Sequence, residues 1–150
     1  MTMCGVCERI QETIRGENPC FVKELETGFV VIGDYQYFRG YTLFLCKVCL
    51  PEIHLLEKDF RMKFLQEMSL VAEAVYKAFK PEKLNYELLG AGDNTHMHWH
   101  FFPRRSGDTP TPGPVWKLPF EEMYDEKYHP SAEELDVMKK SLRTELEKLL

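Results

Sequence analysis

The sequence predicts one α+β domain, with an antiparallel sheet of about five strands, one long helix and a second helix near the C-terminus. Five short runs of aromatic and branched residues, separated by Gly, Pro, Asn and Asp, supply the strands. Apolar residues at three- and four-residue intervals over about 57–79 supply the long helix. Ser131-Ala-Glu-Glu134 has the pattern of a capping box and opens the last helix. A chain of 150 residues, 44% of them apolar and 13% aromatic, can bury one sizeable core, and two separate domains would stretch it.

In chain order, Cys4 to Cys7 forms a tight knuckle, and Glu8 to Arg15 has the spacing of a short helix stopped by Gly16 and Pro19. Phe21 to Leu25, Phe29 to Gly33 and Tyr41 to Cys46 read as the strands of a meander, divided at Thr27-Gly28 and Gly33-Asp34. In the long helix Phe60, Phe64, Leu65, Met68, Val71, Val75 and Phe79 mark one apolar face, and Pro81 ends it. Strands at about Asn85 to Leu89 and Met97 to Phe102 bracket a turn at Gly90 to Thr95. Beyond Arg105, Pro110, Pro112, Gly113, Pro114 and Pro119 block regular structure up to the final helix. Residues 106–150 are therefore expected to wrap the same domain or a partner subunit, and the charged positions of the last helix form a solvated face.

Composition narrows the functional classes. A formal charge of −5 disfavours binding to nucleic acid polymers, although a local patch could still hold a small anion. No apolar stretch is long enough to span a bilayer, and the first residues lack the basic-then-apolar layout of a secretory signal. The expectation is a cytoplasmic protein whose five cysteines stay reduced, so that Cys4-x-x-Cys7 and Cys46-x-x-Cys49 suggest a metal before they suggest disulfides. Two such knuckles have zinc-like spacing, and the alternative is a set of buried cysteines acting as small apolar residues.

The run Thr95-His-Met-His-Trp-His-Phe-Phe-Pro-Arg104 carries the chemistry. In an extended strand alternate side chains share a face, so His96, His98 and His100 are expected on one side and Met97, Trp99 and Phe101 in the core on the other. Three imidazoles on one face can attack, orient and protonate near neutral pH, or bind a metal. The preceding Gly90-Ala-Gly-Asp-Asn-Thr95 loop can turn sharply at its glycines and offer backbone N–H groups, Asn94 and Thr95 to phosphoryl oxygens.

The segment Leu84 to Thr95 followed by His-Met-His-Trp-His-Phe-Phe-Pro-Arg resembles the signature of the histidine triad (HIT) superfamily of nucleotide hydrolases and transferases, and the resemblance extends over about residues 1–105. It implies a HIT-like catalytic domain with an N-terminal zinc knuckle, followed by the Pro-rich segment and helix of 106–150. It also implies a homodimer with a continuous sheet and a small nucleotide as substrate. His98 becomes the nucleophile at the α-phosphorus and His100 the contact to phosphoryl oxygens or leaving group. Uridylyl transferase relatives have glutamine at that third place, so His100 points to the hydrolase branches.

By the same resemblance Asp34 binds the ribose hydroxyls and Asn85 is the family's phosphate-contacting amide, with Asn94 and Thr95 closer to the triad. Metal-binding relatives join an N-terminal Cys-x-x-Cys pair to the first histidine of the triad and to a histidine after the central strand. Cysteine replaces that last histidine here, and the implied structural zinc shell is Cys4, Cys7, Cys49 and His96, with Cys46 as the rival third thiolate. The implied activity is hydrolysis of a nucleotide phosphoanhydride or phosphoramidate with release of AMP through a nucleotidyl-histidine, diadenosine tetraphosphate being one candidate. Two other classes fit the same residues: a nucleotide-binding regulator with little turnover, and a zinc-scaffolded interaction protein in which all three histidines are ligands. Arg104 and Arg105 either attract anionic groups or end the strand as solvated charges.

Overall fold

Side-chain alternation along the meander builds a sheet with two different apolar faces. A computed structural model describes residues 4–150. Strands β1 (Phe21–Glu24), β2 (Gly28–Ile32), β3 (Thr42–Cys46), β4 (Lys83–Leu88) and β5 (His98–Arg104) form one antiparallel sheet in the order β1-β2-β3-β5-β4. The final two strands thus enter beside β3, which places the histidine strand between β3 and β4.

Val30, Ile32, Phe44, Cys46 and Phe101 point to one face and form the main core with helices α2 (Lys58–Phe79) and α4 (Ala132–Glu147). Phe64, Val71, Ala74 and Val75 of α2 and Met138, Leu142 and Leu146 of α4 are almost completely buried there. Met97 joins this core and Trp99 packs against it, as strand alternation predicts. Glu57 caps α2 by accepting from the N–H groups of Asp59 and Phe60, and the helix ends at Lys80, whose φ of 50° is followed by Pro81. The Ser131–Glu134 capping box opens α4 with both reciprocal hydrogen bonds.

The opposite face is divided in two. Phe29, Val31 and Leu45 are covered by Val6 and Ile10 of helix α1 (Gly5–Ile14). Phe38, Tyr41 and Phe102 are covered by Val115, Leu118 and Met123 of the segment after β5. That segment is less irregular than its prolines predict, since it contains short 3₁₀ turns at Val115–Lys117 and Glu126–Tyr128 and a single-turn helix α3 (Phe120–Met123). Proline is tolerated immediately before Val115 and before Phe120 because the N–H it lacks would have no helical partner there.

Two boundary differences near the histidine run and the first cysteines have a local cause. Helix α1 starts at Gly5 and not at Glu8, because the Cys4 sulfur acts as its cap, accepting from the Cys7 N–H at 3.3 Å. Strand β5 starts at His98 and not at Met97, because the Met97 N–H donates to the Leu50 carbonyl. His96 therefore precedes the strand, and only His98 and His100 keep the alternation.

Candidate active site and metal centre

Cys4, Cys7, Cys49 and His96 present ligand atoms that all lie within 4.8 Å of one another. The Cys4 and Cys49 sulfurs are 3.9 Å apart, and the His96 Nδ1 lies 3.5 Å from Cys4 Sγ and 3.4 Å from Cys7 Sγ. A tetrahedral ion with metal–sulfur bonds of about 2.3 Å would hold its sulfurs roughly 3.8 Å apart, so the spacing fits such an ion. His96 Nε2 lies 2.6 Å from the Cys46 carbonyl, which can only accept; that nitrogen carries the proton and leaves the Nδ1 lone pair facing the sulfurs.

Burial pushes His96 below its ordinary pKa, which favours the neutral ring that a metal ligand requires. Burial and the neighbouring Cys4 and Cys49 thiols push Cys7 up to about 12. A cation joining the cluster would hold these thiols as thiolates, and the donor set suits one. Cys46 stands outside the cluster, with its side chain in the main core on the far face of the sheet. The knuckle thus reaches Cys49, in the turn beyond β3, while Cys46 contributes its carbonyl.

The cluster is coupled to the middle histidine through the backbone. His98 Nδ1 lies 2.8 Å from the His96 carbonyl, so it donates its proton there and Nε2 is left as the ring nitrogen with a free lone pair. His98 lines a cleft of about 600 Å³, a size that suits a small-molecule ligand. Val6 of α1 and Val31, Leu43 and Leu45 of the sheet give the cleft apolar walls, and Asp34, Asp93 and Asn94 supply polar groups.

The turn that brings Asn94 to the cleft is closed by the Asn94 N–H donating to the Ala91 carbonyl at 3.0 Å. Two glycines make it possible. Gly92 has a φ of 59°, and a Cβ at Gly90 would lie 2.6 Å from the Asn94 carbonyl oxygen. Thr95 is exposed and does not line the cleft. Asn85 is also away from it, accepting from Arg104 Nη1 at 3.0 Å, and Arg104 in turn forms a two-pronged pair with Asp108 at 2.8 Å. The structure therefore brings Asp34, Asn94 and His98 together and leaves Asn85 and Thr95 outside.

His100 lies behind the cleft. Its Nδ1 is 2.6 Å from the Tyr41 hydroxyl, and the His100, Tyr41 and Phe102 rings lie nearly parallel. Burial, with a smaller effect from His98, pushes His100 down to about 3. Its ring is neutral at physiological pH and is suited to orienting or hydrogen bonding more than to giving up a proton. Tyr41 reaches this position because its ring lies flat on Gly33, where a Cβ would come within 2.3 Å of a ring carbon.

Two site residues were not singled out from the sequence. Tyr41 lies in a strand-like aromatic run, and a tyrosine there carries no local sign of its partner. Arg9 lines the cleft, pairs with the Asp34 carboxylate across 25 residues of sequence, and also reaches Glu12 at 3.1 Å. The helical spacing places Arg9 on α1, but only the packing of α1 over β2 brings it to Asp34. Trp116 is 65% exposed and lines a separate groove beside β4.

No protein-family model matches the chain, and no curated protein matches it. Solved structures do. The chain is 24% identical to a histidine triad protein from Marinobacter aquaeolei VT8, with a TM-score of 0.71 over 87% of this chain and 90% of that one. A hypothetical histidine triad nucleotide-binding protein from Sulfolobus tokodaii strain7 gives 21% identity and a TM-score of 0.71 over 97% and 93% of the two chains. A Zn-bound histidine triad family protein from Mycobacterium smegmatis gives 22% identity and a TM-score of 0.63 over 97% of each. The five-stranded sheet and its helices are thus those of the histidine triad fold, and it is that fold to which this chain belongs.

Proposed function

We propose that this protein hydrolyses a nucleotide phosphoanhydride or phosphoramidate and releases AMP through a covalent intermediate on His98. The observation that carries this reading is the fixed tautomer of His98, whose Nδ1–H is held by the His96 carbonyl while the ring borders a cleft shared with Asn94 and Asp34. Neutral imidazole with one nitrogen anchored is the form that attacks phosphorus.

In the proposed sequence the His98 Nε2 lone pair forms a bond to the α-phosphorus. The bond from phosphorus to the leaving oxygen or nitrogen breaks, and its electron pair departs with that atom, which takes up a proton. Water then attacks the same phosphorus, the N–P bond returns its electrons to Nε2, and AMP leaves. Asn94 and the N–H groups of its turn stabilise charge on the phosphoryl oxygens. Asp34 accepts from the ribose hydroxyls while Arg9 holds its other side, and Val6, Val31, Leu43 and Leu45 bury the base.

The four-ligand cluster supports a zinc ion held by Cys4, Cys7, Cys49 and His96. Such a closed shell leaves no position for water, so the metal would supply structure and not Lewis acidity. These residues fix the loop whose His96 carbonyl orients His98. The exposed backbone edge of β4 supports a homodimer with a continuous sheet. Reduced, metal-binding thiols support a cytoplasmic location.

A second reading, a nucleotide-binding regulator with little turnover, is favoured by one observation: His100 is neutral, buried and tied to Tyr41, and so is a weak acid for the leaving group. The parent protein and His98→Ala are to be incubated with diadenosine tetraphosphate and an adenosine phosphoramidate, and AMP measured by chromatography. Release by the parent and its loss in the variant support the hydrolase. Tight nucleotide binding with no AMP from either protein would transfer the assignment to the regulator.

A further inference from the structure

Asp34 lies on a bend just beyond β2, yet its backbone is held as firmly as a strand residue. The Gly33 N–H donates to the Tyr41 carbonyl at 2.8 Å and closes the β2–β3 pairing, so Asp34 is the first residue outside the sheet. Both peptide planes that flank it are nonetheless fixed. The Gly33 carbonyl accepts from Gln36 Nε2 at 2.9 Å. The Asp34 carbonyl lies 2.9 Å from His129 Nδ1, which must donate because a carbonyl can only accept. With both planes set, the direction of the Asp34 Cα–Cβ bond is set as well.

The carboxylate is fixed from the other side. Its Oδ1 accepts from Arg9 Nη2 on α1 and from the Cys20 thiol at 3.4 Å. Burial, with the Asp34 charge beside it, pushes Cys20 up to about 11, so the thiol keeps the proton that it donates. Among the described residues no hydrogen bond reaches Oδ2, and the Asp34 side chain is 48% exposed where it lines the cleft. One oxygen is committed to the protein, and the other is left to accept from a ligand.

His129 belongs to the C-terminal segment, 95 residues from Asp34 in sequence, and that segment grips the bend at three more points. The His129 ring packs against the Tyr35 ring with centroids 4.3 Å apart, and Tyr124 meets the same tyrosine edge-on at 5.2 Å. The Gln36 N–H donates to the Tyr128 carbonyl at 2.8 Å. Behind the imidazole, Nε2 lies 3.0 Å from the Glu126 carboxylate. We propose that His129 is a positioning residue for the ribose subsite, through which the C-terminal segment presets Asp34 with Oδ2 open to the sugar hydroxyls. The assignment rests on Asp34 as the ribose acceptor and deepens that reading. A carboxylate ordered before the nucleotide arrives loses no further freedom on binding, so the benefit appears only with a ligand that has hydroxyls to offer.

AMP and 2′,3′-dideoxy-AMP, which differ only in those hydroxyls, test this by calorimetric titration of the full-length protein, with no turnover needed. The parent should bind AMP roughly 10–100-fold more tightly, the order expected for hydroxyls bonded to a charged acceptor, and Asp34→Ala should reduce that preference to within about threefold. His129→Ala should cut the preference by roughly three- to tenfold while dideoxy-AMP still binds within about twofold of the parent. His129→Asn, which keeps an N–H donor near the Nδ1 position, should restore the preference to within about twofold. An undiminished preference in His129→Ala, or equal weakening of both ligands, would overturn the assignment while leaving Asp34 as the ribose acceptor. A parent protein with no preference would remove the ribose reading itself, and the role of His129 with it.

Discussion

His100 gives the stability of this protein a defined pH signature. Its ring is largely buried against Tyr41 and Phe102, and burial, helped by His98, pushes its pKa down to about 3. In an unfolded chain histidine titrates near ~6.5. Between these values the unfolded chain binds the proton and the folded protein does not, so stability rises with pH across that window. The contribution is fully present above about 6.5 and is lost as pH falls towards 3.

Linkage through this single site gives a loss of about 2.5 kcal/mol between pH 7 and pH 4.5, an upper figure because solvent reaches part of the ring. Carboxylates and thiols also titrate over this range, so the measurement is a difference. The reference is the double variant Tyr41→Phe/His100→Phe, which removes the titrating ring and its hydroxyl partner together and leaves neither polar group buried alone. Urea unfolding at the two pH values should show the parent losing about 1–2.5 kcal/mol more than the double variant. Equal losses would mean that His100 is hydrated or charged in the folded protein, and the reasoning from burial would fail. Tyr41→Phe alone should be worse than the double variant at pH 7, by about 1–3 kcal/mol, because it leaves His100 Nδ1 unpaired.

Two further predictions concern the framework. Cys49→Ala should lower bound zinc from about one ion per chain to a small fraction, measured by a colorimetric chelator after unfolding, whereas Cys46→Ala should keep the metal and lose only core packing. Zinc loss in both variants or in neither would refute the ligand assignment. Leu142→Ala, at a fully buried position between α4 and α2, should cost about 2–5 kcal/mol, read as a Tm drop of roughly 5–15 °C by circular dichroism. A drop under about 2 °C would mean that α4 is not part of the cooperative core.

Much of this molecule is written in local pattern. Period-two alternation and turn residues specify the strands, and the three- and four-residue spacing of Phe60 to Phe79 specifies α2, because a backbone with one apolar face can bury it in only one way. Cys-x-x-Cys spacing and the alternation of His98 and His100 are similarly local, so a candidate metal knuckle and a histidine row are visible in the sequence, while the choice of His98 as nucleophile candidate rests on the resemblance to the histidine triad superfamily. Tertiary structure decided the pairings between distant segments. It chose Cys49 over Cys46, since β3 turns Cys46 into the core and the chain must leave the strand before a thiol can meet His96. It set the tautomers of His96 and His98 through carbonyls that no side-chain pattern reveals. It also joined Arg9 to Asp34 and Tyr41 to His100, while holding Asn85 and Thr95 away from the cleft. A sequence pattern records which face a residue turns to, and only the packing of one element on another determines what it meets there.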